Sequence, residues 1–100
     1  MKFNKRTCVS DEGYFDVTVT YNGQDLMTVR HSPTGVEVVE VGKKTKILFE
    51  QGRYKVAIDV ARYLSKMMEP SEMSAYSSSI LNSLRRRYVS VPFVGIDRYA

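Results

Sequence analysis

The chain has no tryptophan, one cysteine and one histidine in 100 residues. A single cysteine excludes an internal disulfide framework and a cysteine-built zinc site. A single histidine, His31, leaves no Ser–His–acid or Cys–His spacing, and general acid–base work would need a partner group to orient and tune it. His31 is read as a surface or strand-edge residue. Cys8 stands beside Lys5 and Arg6, which can lower a thiol pKa; a packed or exposed bystander is the simpler reading. No apolar run approaches the ~18–20 residues that span a bilayer. The start of the chain is charged with no apolar stretch behind it, so no signal peptide is expected. Gly13, Gly23, Gly35, Gly42, Gly52 and Gly95 are spaced as turn glycines and form no phosphate-cradling loop. The acidic residues are scattered. The sequence thus implies no catalytic residue, no metal site and no cofactor, and the expectation is a protein that is not an enzyme.

What is present is aliphatic. Leu, Ile, Val and Phe number 26, which argues against intrinsic disorder. A chain of this length buries roughly 60–65% of its extended surface and has room for one core. Residues 1–100 are therefore read as a single domain, with no internal repeat and no linker. Thirteen residues are valine, eight of them between Val9 and Val41. Branching at Cβ favours the pleated surface of a sheet.

Tyr14 to Tyr21 alternates, with Phe15, Val17, Val19 and Tyr21 on one face and Asp16, Thr18 and Thr20 on the other. This is a half-buried strand. Asn22-Gly23 is a hairpin signal, and Asp25 to Arg30 is the return strand. A two-residue turn would set Val17 opposite Thr28 and Phe15 opposite Arg30. A three-residue loop, Tyr21-Asn22-Gly23, would set Val17 opposite Met27 and Phe15 opposite Val29. Opposed residues share a face, so the three-residue loop is expected. Ser32-Pro33-Thr34-Gly35 is a turn. Val36 to Val41 is a third strand with valine on both faces, which implies a central position or a bulge between Val38 and Val39. Gly42-Lys43-Lys44-Thr45 reads as a turn, Lys46 to Glu50 as a fourth strand, and Gln51-Gly52 as the close of the sheet.

From Arg53 the period changes. Lys55, Asp59, Arg62, Lys66 and Glu69 form a solvated stripe, with Ala57, Val60, Ala61, Leu64 and Met68 opposite. The spacing predicts an amphipathic helix of about four turns, ended by Pro70. Ser71 is placed to cap a second helix, with Glu72 in its first turn. That helix carries Met73, Tyr76, Ile80, Leu81, Leu84 and Tyr88 on one face, with the small Ser77 in the middle. Val89 to Ile96 is extended in pattern, and Pro92 makes it an edge strand or an ordered tail. The fold class is α+β: a four-stranded antiparallel sheet in ββββαα order, backed by a two-helix hairpin.

The positive charge collects late in the chain. Residues 53–88 hold seven basic and three acidic side chains against a net charge of +4 overall. Arg85-Arg86-Arg87-Tyr88 is the nucleic-acid candidate, since arginine pairs with phosphate and tyrosine stacks on bases. Consecutive helical residues point about 100° apart, however, and three cations in a last turn also complement the helix dipole. Lys43, Lys44 and Lys46 form a second basic cluster, which on a hairpin would discourage edge pairing. Seven tyrosines against four phenylalanines tilt toward amphipathic aromatics, which suit interaction surfaces. At least two of Tyr21, Tyr54, Tyr63, Tyr88 and Tyr99 are expected to be exposed. The candidate binding set is Tyr21, Lys43, Lys44, Lys46, Arg85, Arg86, Arg87 and Tyr88.

Met1-Lys2-Phe3 with Lys5, then Tyr14, the alternating strand with Val19, and Asn22-Gly23 resemble the opening of small phage-encoded anti-CRISPR proteins of the type I-F class, over about a quarter of the chain. The resemblance implies a four-stranded antiparallel sheet with two helices. It also implies a steric inhibitor that docks on the backbone subunits of an RNA-guided surveillance ribonucleoprotein and blocks target DNA. The family's contacts are sheet tyrosines and an acidic residue. Arg6, Thr20 and His31 stand at those places here, and Tyr21 faces the other side of its strand. The resemblance therefore implies fold and a phage setting more than a shared contact surface. Three functions follow as expectations. The leading one is a phage protein that inhibits a bacterial defence complex in the host cytoplasm by protein–protein contact. The second is a small nucleic-acid-binding module, and the third a homodimeric phage structural or assembly protein pairing through Val89–Val94. No membrane partner is expected.

Overall fold

The computed structural model describes residues 2–88. Four strands come first: β1 (Phe3–Val9), β2 (Phe15–Tyr21), β3 (Gln24–Ser32) and β4 (Gly35–Val41). Three helices follow: α1 (Lys43–Glu50), α2 (Lys55–Ser65) and α3 (Pro70–Tyr88). The strands form one antiparallel sheet in the order β1-β2-β3-β4. The expected class, a four-stranded antiparallel sheet followed by helices, is what the chain forms. Val89 to Ile96, expected as an edge strand or tail and including Pro92, Gly95 and the Val89–Val94 pairing segment, lies outside the described residues, as does Tyr99.

The four strands are not the four that periodicity suggests. β1 is an additional strand: its residues beyond Phe3 are all exposed, so no apolar alternation announces it. Lys46 to Glu50, expected as a strand, lies in α1, and Gly42 to Thr45 is the start of that helix rather than a hairpin turn. Gly52 decides this. It takes φ +77°, its N–H donates to the Phe49 carbonyl (2.9 Å), and the Arg53 N–H donates to the Leu48 carbonyl (2.9 Å). Those two bonds are the Schellman motif, which closes a helix on a left-handed glycine. Thr45 and Phe49, four apart, are buried while Ile47 is exposed, the reverse of the strand alternation.

The β2–β3 hairpin also differs from expectation. Asn22 and Gly23 both have positive φ (50° and 84°), as a two-residue type I′ turn requires. Tyr21 pairs with Gln24 and Thr20 with Asp25; then Val19 pairs with Met27, leaving Leu26 as an extra residue. This bulge shifts the register so that Val17 meets Val29. The apolar face stays apolar through the bulge and not through a longer loop. A second bulge leaves Val39 between Val38, paired with Val29, and Glu40, paired with Thr28. The valines on both faces of β4 thus report a bulge on an edge strand, not a central strand.

The helices cover one side of the sheet. Val17, Val19, Met27, Val29 and Val38 meet Phe49 of α1, Ala57, Val60 and Ala61 of α2, and Tyr76, Ile80 and Leu84 of α3. α2 buries the expected face but ends at Ser65, a turn early, where the Ser65 hydroxyl donates to the Ala61 carbonyl (2.6 Å). α3 starts with Pro70 at its first position. The Glu72 side chain accepts from the Glu69 N–H (3.2 Å), so Glu72 does the capping expected of Ser71. The small residue that admits a close neighbour is Ser83, buried against β4, while Ser77 is half-buried.

Candidate functional site

The two faces of the sheet have different chemistry. On the face away from the helices, register places Asp16 opposite Arg30 and Thr18 opposite Thr28. Arg30 Nε and Nη2 donate to Asp16 Oδ1 and Oδ2 (2.9 and 3.0 Å). The guanidinium also lies over the Tyr14 ring, 3.9 Å from its centroid. The Thr18 and Thr28 hydroxyls share a hydrogen bond of 2.9 Å. Arg6 Nη1 and Nη2 reach Asp25 Oδ1 and Oδ2 (3.3 and 3.0 Å). Bidentate pairs fix both partners in one plane. The hydrogen bond from Arg30 holds the Asp16 carboxyl below the ordinary carboxylate range, and the partner carboxylates raise both arginines. This face is polar, and among the described residues no helix covers it.

The basic residues singled out by sequence are dispersed. Lys46, Arg87 and Tyr88 come together around one open concavity of about 530 Å³, with Glu40 and Glu50 on the same wall. Arg87 donates to the Val38 carbonyl (3.2 Å), and the Tyr88 ring packs 6.1 Å from that of Phe49. Arg86 lines a different hollow beside Thr34, Glu37 and Asn82. Arg85 acts on Tyr54, opposing the upward pull of burial on that phenol, whose buried hydroxyl has no hydrogen-bond partner. The three arginines splay around the helix end as their spacing requires. Lys43 and Lys44 sit at the other end of α1 beside Asp25, in the first turn of a helix and not on a hairpin. Tyr21 stacks edge-on against Phe3, ring centroids 5.1 Å apart, on the helix side of the sheet. Tyr21, Tyr54, Tyr63 and Tyr88 are each half-buried, so none is the exposed anchor expected of them.

His31 is not a surface bystander. Its ring stacks between Phe15 (4.7 Å) and Tyr76 (5.6 Å), and Nε2 shares a 2.7 Å hydrogen bond with the Tyr76 hydroxyl. Burial lowers the His31 pKa, with the Phe15 backbone and the Asp16 carboxylate in partial opposition, and burial raises the Tyr76 phenol. The neutral imidazole is therefore the form that fits. Neither His31–Tyr76 nor Asp16–Arg30 is visible without the true register, because the bulge at Leu26 brings these rows into line. Cys8 is exposed on β1. No group of three or more His, Cys, Asp or Glu side chains gathers as a metal site among the described residues. No helix among them is long and apolar enough to cross a membrane.

No family model, curated protein or solved structure matches this chain. The open sheet face and the dispersed basic clusters are what the molecule itself offers for a functional reading.

Proposed function

We propose that the chain is a non-enzymatic, phage-encoded inhibitor that acts in the bacterial cytoplasm. It sterically blocks a defence complex, such as an RNA-guided CRISPR surveillance complex, and docks through the open face of the sheet. The observation that carries this reading is the pair of bidentate bridges on that face. The half-buried Asp16 and Arg30 are already held in bidentate geometry, and the exposed Arg6 and Asp25 pair in the same way, so docking has fewer side chains to immobilise. Four strands about 4.8 Å apart and about 23 Å long present roughly 440 Å² of flat projection. A standard interface takes about 800 Å² per partner, so the turns at the ends of the sheet have to contribute.

The test is target-DNA binding by a purified type I-F surveillance complex, with and without this protein. Stoichiometric loss of DNA binding is expected. Asn4→Trp or Glu37→Arg, both exposed on the open face, should relieve it while the fold persists. No inhibition at saturating protein removes the reading.

One observation favours a second reading, a nucleic-acid-binding module. Residues 43–88 carry ten basic and four acidic side chains, whereas residues 1–41 carry four and six. Binding through phosphate contacts would fall steeply with salt, and a flat salt response excludes it.

A further inference from the structure

The two edges of the sheet are treated differently. At β4, α3 occupies the outward peptide groups: the Val38 N–H donates to Ser83 Oγ (2.9 Å), and the Val38 carbonyl accepts from Arg87 (3.2 Å). Ser83 and Arg87 are one helical turn apart and close that edge. Among the described residues no such cover lies over β1. The Asn22 N–H donates to the Lys2 carbonyl and the Ser10 N–H to the Tyr14 carbonyl. In an antiparallel ladder bonded pairs alternate with non-bonded ones. Even-numbered residues of β1 therefore bond to β2, and Phe3, Lys5, Thr7 and Val9 turn their N–H and C=O groups outward. Lys5, Thr7 and Val9 are also exposed as side chains, Val9 at 78%.

We propose that this edge pairs antiparallel with the same edge of a second copy of the chain, across a two-fold axis at Cys8. Charge along the strand selects both the occupant and the register. The segment is basic at its start, with Lys5 and Arg6, and acidic at its end, with Asp11 and Glu12. Antiparallel self-pairing lays the basic start of one copy beside the acidic end of the other. Centred on Cys8, it sets Thr7 opposite the partner's Val9 and Arg6 opposite the partner's Ser10, and brings Lys5 beside the turn that follows β1 in the partner, which carries the partner's Asp11 and the partner's Glu12. Centring on Lys5 or Arg6 would oppose like charges at close range, which is unfavourable. Centring on Thr7 would set Lys5 against Val9 and leave the lysine without a counter-charge. In the Cys8 register Thr7 and the partner's Val9 exchange both backbone bonds, and the two cysteines form the non-bonded pair on the axis. The result is an eight-stranded sheet. Its interface is short, below the ~1,200 Å² of stable complexes, so the dimer is a weak one.

Sedimentation velocity on the full chain tests this, at about 10 µM to 1 mM, the range in which weak association is read. Wild type should pass from monomer to dimer. Lys5→Glu and Asp11→Lys should each weaken association at least tenfold, and the double variant should restore it, since both residues are exposed. Hydrogen exchange at the Thr7 and Val9 amides should slow as concentration rises. Paired Cα atoms at a non-bonded site lie about 4.5 Å apart, within disulfide range. Diamide, accepting two electrons and two protons from two thiols, should therefore trap a covalent dimer, and Cys8→Ser should abolish the trap but not the association. A monomer up to 1 mM overturns the proposal. So does a dimer indifferent to the single reversals, a double variant that stays weak, or association without protection of the Thr7 and Val9 amides.

Discussion

At the scale of the residue, Gly42 and Gly52 are required for opposite reasons. Gly42 has an ordinary φ of −66°, but a Cβ there would run into the backbone carbonyl of Asp25. Its N–H donates to the Leu26 carbonyl (2.9 Å), so the bulge at Leu26 and the start of α1 are pressed together at this point. At Gly52 a Cβ meets nothing, and the constraint is φ +77°. Gly52→Ala should cost about 1–2 kcal/mol, the penalty of a left-handed alanine. Gly42→Ala should cost about 1–3 kcal/mol, as backbone has to move. Urea midpoints give both values. Asn in place of Gly52 should recover part of the loss, because asparagine tolerates the left-handed region, whereas Asn in place of Gly42 should not.

His31 carries a pH dependence whose sign follows from burial. Its native pKa lies below the ordinary 6.5, so the unfolded chain takes up the proton first as pH falls. The stability associated with neutral His31 is complete above pH 6.5 and is lost as pH drops from there toward the native pKa. Asp16, also lowered, contributes in a separate window: its stabilisation is present above 3.8 and lost below, toward its own native value. Unfolding free energy measured from pH 8 to 5 should therefore decline through the histidine window in the wild type. In His31→Phe that decline should flatten. Tyr76→Phe should cost about 0.5–1.5 kcal/mol at pH 8, the net value of the part-buried hydrogen bond it removes.

At the scale of the element, legibility followed how much of each element's burial is one-sided. β2 and α2 were readable because Val17, Val19, Val60 and Ala61 sit at strict strand and helix periods and are buried. β1 was unreadable because only Phe3 among its residues is partly buried, and its place is set by pairing with β2. α1 resembles a strand in sequence because Ile47, Leu48 and Phe49 are consecutive, and a short apolar run does not distinguish helix from strand. The available clue was Gly52, three residues past Phe49. The true hairpin register was hidden for another reason: a bulge inserts one residue without leaving a turn signal. The basic candidates were legible as types, but their grouping was not, because it depends on α1 lying beside the end of α3.

The pairing of α3 with β4 carries a prediction of its own. Ser83 is buried and its hydroxyl satisfies the Val38 N–H, whereas Arg87 reaches the Val38 carbonyl from an exposed position. Ser83→Ala should leave a buried donor unpaired and cost about 1–3 kcal/mol. Arg87→Ala should cost less, since water can replace an exposed donor. Exchange of the Val38 amide should accelerate in the first variant and stay near wild type in the second. Equal effects would mean that α3 does not close this edge through Ser83.

At the scale of the whole molecule, charge is divided between layers: the helix-bearing residues 43–88 are net basic and residues 1–41 net acidic. This division pulls the two functional readings apart, with Arg86, which shares a hollow with Glu37 at the β4 edge, the one α3 arginine at the rim of the open face among the described residues. The splay of Arg85, Arg86 and Arg87 limits how many phosphates one duplex can offer them, and Glu40 and Glu50 flank the site where Lys46 and Arg87 meet. Two simultaneous phosphate contacts would give a slope of log affinity on log salt of about −1.8. Affinity for a random DNA duplex should therefore be weak, with a slope no steeper than about −2. The triple variant Arg85→Gln, Arg86→Gln, Arg87→Gln should flatten that slope and leave inhibition of a surveillance complex unchanged. A slope near −4 in the wild type would mean at least four phosphates engaged at once. Combined with loss of inhibition in the triple variant, it would place the working surface on the helices and turn the sheet face into scaffold.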